Sequence, residues 1–75
     1  MIISDWTPKR GQIVFNELMN ARGIIISENF GDKDNIAFRI EYLEASPRGI
    51  PAGQDGICYK NYSHLVQNVF SSNKL

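Results

Sequence analysis

Apolar residues fall in two rhythms along this chain. In the first third, Val14, Phe15, Leu18 and Met19 recur at the spacing of one helix face, with Lys9, Asn16 and Asn20 opposite. Thr7-Pro8 suits a helix start, since Pro fits the first helical position and Thr can cap, and Gly23 suits a left-handed stop. A helix is therefore predicted from Pro8 to Arg22. A short β-branched run, Ile24 to Phe30, follows, and Gly31-Asp32-Lys33-Asp34-Asn35 carries turn chemistry. Beyond it Ile36, Phe38, Ile40 and Tyr42 alternate with Ala37, Arg39 and Glu41, the period of a half-buried strand. The two runs predict a β-hairpin whose second strand extends from Ile36 to Glu44.

Prolines and glycines between Ala45 and Gly56 exclude a regular element and predict a long loop. Ile57 to Lys60 then reads as a third strand, and Leu65, Val66, Val69 and Phe70 form one stripe on a last helix beginning near Ser63. The expected fold is α+β: a small antiparallel three-stranded sheet with two helices packed on one face, in the order α-β-β-β-α. Met1 to Asp5 is available for a short extra N-terminal strand.

At 75 residues and 43% hydrophobic content the chain is expected to fold as a single domain, residues 1–75, with a core that supplies little surplus stability. Self-association as a homodimer is one way to make up the deficit. Lys+Arg and Asp+Glu stand at eight each, so no global field draws the chain to nucleic acid or an anionic membrane. No apolar run approaches a membrane span, and Met1 to Trp6 lacks the basic and apolar regions of a secretory signal, so a cytoplasmic location is expected. The abundance of Ile and Asn is a bias shared with phage and mobile-element genomes.

Catalytic groupings are not evident. Ser63 and His64 are adjacent, whereas a nucleophile and its base must face one another. Cys58 lies in an apolar strand with no neighbouring cation and reads as an inert, packed thiol. Asp32 and Asp34 lack the glycine and the closing glutamate of a calcium loop, and Gly49, Gly53 and Gly56 lead into a strand rather than a phosphate-binding helix. No enzyme, metal or cofactor is expected.

Three features break local rules. Lys9 and Arg10 occupy the first turn of the expected helix, where cations cost about 0.3–1 kcal/mol each. The loop from Ala45 to Gly56, with Arg48 and Ile50, is long for so small a domain. Ile13 falls on the wet face of the helix, while Ile25, Leu43 and Tyr62 project from the outer face of the expected sheet. Lys9, Arg10, Ile13, Leu43, Arg48, Ile50 and Tyr62 are thus the candidate partner-binding residues. Acids outnumber cations from Glu28 to Glu44, which favours a basic protein partner there. The expectation is a small non-enzymatic, protein-binding regulator or inhibitor. The alternatives are a nucleic-acid-binding module using Lys9, Arg10, Arg48 and Lys60, and a structural subunit of a larger assembly.

Overall fold

Ile13-Val14-Phe15-Asn16 forms an extended strand, not the middle of a helix, and that single change reorganises the molecule. The computed structural model describes residues 6–67. Among these there are five strands: β1 (Ile13–Asn16), β2 (Ala21–Ile25), β3 (Ala37–Tyr42), β4 (Asp55–Tyr59) and β5 (Ser63–Gln67). A single 3-10 turn, Lys60–Tyr62, joins β4 to β5, and no α-helix occurs among the described residues. The α+β expectation of two helices on a three-stranded sheet is therefore replaced by a five-stranded antiparallel sheet of order β4-β3-β2-β1-β5.

The helix predicted over Pro8 to Arg22 fails for a local reason. Its apolar positions at 14, 15, 18 and 19 satisfy a helical face, but they equally fit a strand followed by a tight turn. Asn16 decides between the two. Its side-chain oxygen accepts from the Leu18 N–H at 3.1 Å, and its carbonyl accepts from the N–H groups of Met19 and Asn20. This Asx-type turn reverses the chain, and Asn20 completes it in the left-handed region at φ 57°. β1 and β2 then pair from Ile13↔Ile24 to Asn16↔Ala21. Gly23, expected as a helix stop, lies within β2, where a Cβ would sit 2.8 Å from Ile40 Cδ1. Glycine there leaves room for the Ile40 side chain, which reaches across from the neighbouring strand β3.

The last predicted helix fails over Ser63–Gln67, which pairs antiparallel with β1 as β5. Two adjacent apolar residues, Leu65 and Val66, cannot distinguish helix from strand, and here the unpaired side of β1 settles the matter. The remainder of that expected helix, with Val69 and Phe70, and the optional strand at Met1 to Asp5 lie outside the described residues.

The predicted hairpin is present as β2–β3, with Ile24↔Glu41 and Ile25↔Ile40 in register and a further bridge at Phe30↔Ala37. Its first strand lies earlier than expected, so Ile25 is buried at 1% exposure instead of facing outward. The loop after β3 ends at Gln54, because Asp55 and Gly56 already pair with Glu41 and Ile40 as part of β4.

The sheet cannot be flat. Its edge strands β4 and β5 are separated by four inter-strand spacings, about 19 Å in a plane, yet the four residue steps from Tyr59 to Ser63 reach at most ~14 Å. The sheet therefore curls, and the 3-10 turn Lys60–Tyr62 brings the end of β4 close to the start of β5, where the Ser63 hydroxyl donates to the Lys60 carbonyl at 3.1 Å. Val14, Ala21, Ile25, Phe38, Ile40, Tyr42 and Cys58 fill the interior; they come from β1 to β4, while β5 buries only Ser63. Trp6 packs edge-on against Phe38 with ring centroids 6.2 Å apart, and Met19 and Ile50 close the far end.

Candidate protein-binding groove

β4 has small residues on its inner face and large ones outside. Gly56 and Cys58 point inward, while Asp55, Ile57 and Tyr59 face out. Glycine at 56 lets the Tyr42 ring lie against the strand, since a Cβ would stand 3.2 Å from its Cε2 atom. Beside β4, which among the described residues pairs only with β3, lies a groove of about 320 Å³. Asn16, Tyr42 and Cys58 contribute to its floor, and Leu18, Met19 and Ile50 form the opposite wall. Ile57, Tyr59 and Leu18 on its rim are 47%, 40% and 46% exposed, large for apolar side chains in so small a domain.

Hydrogen bonding fixes both walls. Asn16 Nδ2 donates to the Tyr42 hydroxyl at 3.0 Å in the buried floor, so the same amide holds the turn and the tyrosine. The Ser46 hydroxyl donates to the Met19 carbonyl and accepts from the Arg48 N–H at 3.0 Å, which ties the loop after β3 to the β1–β2 turn. The Ser46 N–H also donates to the Ile50 carbonyl at 2.7 Å. That loop thus contributes Ile50 and Gln54 to the lining of the groove.

The outer edge of β4 is open among the described residues, since β4 pairs only with β3. The Tyr42 N–H donates to the Gln54 carbonyl and the Lys60 N–H to the Ile36 carbonyl, each at 2.9 Å. Antiparallel alternation between these two bonds directs the main-chain groups of Gly56 and Cys58 toward β3 and those of Asp55, Ile57 and Tyr59 toward the open edge.

Chemically the groove is quiet. Burial pushes the Cys58 thiol up to about 11, outweighing the opposing influence of Ser63 and of the Tyr59 backbone. Burial likewise raises the Tyr42 hydroxyl above its usual value, against the hydrogen bond from Asn16. No group of three or more His, Cys, Asp or Glu able to hold a metal occurs among the described residues.

Of the residues singled out from sequence, Ile50 alone lines this groove, half-buried against the core rather than projecting. Leu43 and Tyr62 are exposed elsewhere, and Ile13 is half-buried in β1. Lys9 and Arg10 do not begin a helix. The Lys9 N–H is held by Gln12 Oε1 at 2.8 Å, and Arg10 pairs with Glu28 at 3.7 Å on an exposed surface. The four cations of the nucleic-acid alternative are not brought together. Gly11 donates to the carbonyl of Ile25, placing Lys9 and Arg10 by the end of β2, whereas Arg48 sits by the β1–β2 turn near its start. The Lys60 ammonium lies over Trp6, 5.7 Å from the ring centroid.

Leu18, Met19, Asp55, Ile57 and Tyr59 also line the groove, and the sequence pattern does not mark them. The first two were assigned to a helical core, and in β4 the larger residues face out against the usual preference. Asn at both ends of Asn16-Glu17-Leu18-Met19-Asn20 was the readable sign of a turn. No family model matches the chain, and no curated protein or solved structure matches it either. No helix among the described residues is long and apolar enough to cross a membrane.

Proposed function

We propose that this protein is a non-enzymatic binding module, a small regulator or inhibitor that acts by holding part of another protein in the groove beside β4. The observation that supports this reading is the joint exposure of Leu18, Ile57 and Tyr59 along a groove whose floor is polar but internally satisfied. Large apolar groups on a rigid, hydrogen-bonded rim give binding energy at little ordering cost. The one thiol lining the groove is kept protonated at neutral pH, which suits contact better than nucleophilic chemistry.

Selection of displayed random peptides against the purified protein tests the reading. Enriched peptides are expected to lose at least about tenfold in affinity for Leu18→Glu and Ile57→Glu, and to keep it for Leu43→Glu, an equally exposed residue outside the groove. Binders that lose as much to Leu43→Glu, or none that depends on Leu18 or Ile57, would overturn it.

A further inference from the structure

Glu41 of β3 and Asp55 of β4 are direct cross-strand partners with both side chains exposed on the outer face. Like charges in that position destabilise a sheet. The ion pairs among the described residues are Arg10–Glu28 and Arg22–Glu44, with a His64–Glu17 contact at 3.6 Å, and none of them involves Glu41 or Asp55. Arg39, two residues along β3 on the same face, pairs with neither. Among the described residues no lysine or arginine lines the groove that Asp55 borders. An acidic pair that no ion pair among the described residues neutralises thus stands beside the groove and next to main-chain groups that the described sheet leaves open.

From this juxtaposition we infer that the groove takes an extended, cationic segment of a partner protein, which adds to β4 as a further strand. The inference rests on the protein-binding reading above and specifies its occupant. The segment's main chain bonds to the outward N–H and C=O groups of Asp55 and Ile57. One Lys or Arg lies opposite Asp55 and neutralises the acidic pair. Neighbouring side chains alternate, one set turned inward over Met19, Tyr42 and Ile50, the other lying outside along Ile57. Pairing stops before Tyr59, because β4 ends there and the 3-10 turn Lys60–Tyr62 carries the chain on to β5.

The test uses two end-blocked octapeptides, one alternating lysine with valine and one alternating glutamate with valine, titrated into the full chain and followed by amide chemical shifts. The lysine peptide is expected to shift Asp55 and Ile57 first, at concentrations about tenfold below the glutamate peptide, with the difference shrinking as salt is raised. Asp55→Asn and Glu41→Gln are each expected to weaken the lysine peptide while leaving the fold as stable or more so, which separates recognition from structure. Equal binding of the two peptides would overturn the inference. So would shifts confined to β5, or self-association that Ile57→Glu abolishes, which would make a second copy the occupant. If groove-dependent peptides from the random selection carry no cations, this inference fails and the protein-binding reading stands.

Discussion

Replacing Asn16 by alanine removes one amide that does two jobs. Its oxygen holds the Leu18 N–H at 3.1 Å and its nitrogen holds the Tyr42 hydroxyl at 3.0 Å, with Asn16 itself only 4% exposed. Each hydrogen bond contributes about 1 kcal/mol net, and the Tyr42 hydroxyl, left in the buried floor, adds about 1 kcal/mol or more of unmet desolvation. The Leu18 N–H, on an exposed turn, recovers water. Asn16→Ala should therefore cost about 2–4 kcal/mol, a large share of what a chain this small supplies. Tyr42→Phe removes the partner instead, leaves one amide hydrogen unmatched, and should cost about 1–2 kcal/mol. Urea unfolding followed by Trp6 fluorescence reads both, since Trp6 packs on Phe38 in the core. The double variant should cost less than the sum of the singles by about 1 kcal/mol, the coupling of two groups in direct contact. A loss below about 0.5 kcal/mol for Asn16→Ala, or strict additivity, would refute the view that this amide organises the turn and the groove floor.

Two further outcomes follow from the core. Gly23→Ala places a Cβ 2.8 Å from Ile40 Cδ1 and 3.1 Å from the Glu41 carbonyl oxygen, and should destabilise the fold by about 1–3 kcal/mol in the same urea assay; an unchanged midpoint would show that β2 and β3 can separate freely. Stability should also fall as pH rises from about 9 to about 11. The Cys58 thiol is held protonated in the folded state above its ordinary value, so the unfolded chain loses its proton first; the loss amounts to at most about 2–3 kcal/mol. Tyr42, raised by the same burial, acts in the same direction at higher pH. Cys58→Ala should flatten the pH 9–11 limb of the stability curve, and an unaltered limb would contradict this assignment.

The hairpin around Gly31–Asn35 was legible because Ile36 to Tyr42 alternate with period two and because Asp and Asn supply turn chemistry, and the Asn35 N–H does bond the Asp32 carbonyl at 2.9 Å. Cys58 was legible as a packed thiol. The flanking elements were not, for a shared reason. Val14-Phe15 and Leu65-Val66 are adjacent apolar pairs, and a pair carries no period. Val14-Phe15 becomes a strand through the turn that Asn16 imposes and its pairing with β2, and Leu65-Val66 only through pairing with β1, a contact between residues far apart in sequence. Helix-forming Glu17, Leu18 and Met19 strengthened the wrong reading, because their propensity was spent in a turn that Asn16 and Asn20 impose. The groove followed the same fate. It exists only where the β1–β2 turn, the Ser46 loop and β4 meet, so no single stretch of the chain announces it.

The open edge of β4 is tested most directly by residue-resolved amide hydrogen exchange on the free protein. Gly56 and Cys58, directed at β3, should exchange slowly, and Asp55 and Ile57, directed at the groove side, should exchange at least about tenfold faster under the same conditions. Uniform slow exchange from Asp55 to Tyr59 would contradict this, because it would mean that the edge offered to a partner is already covered.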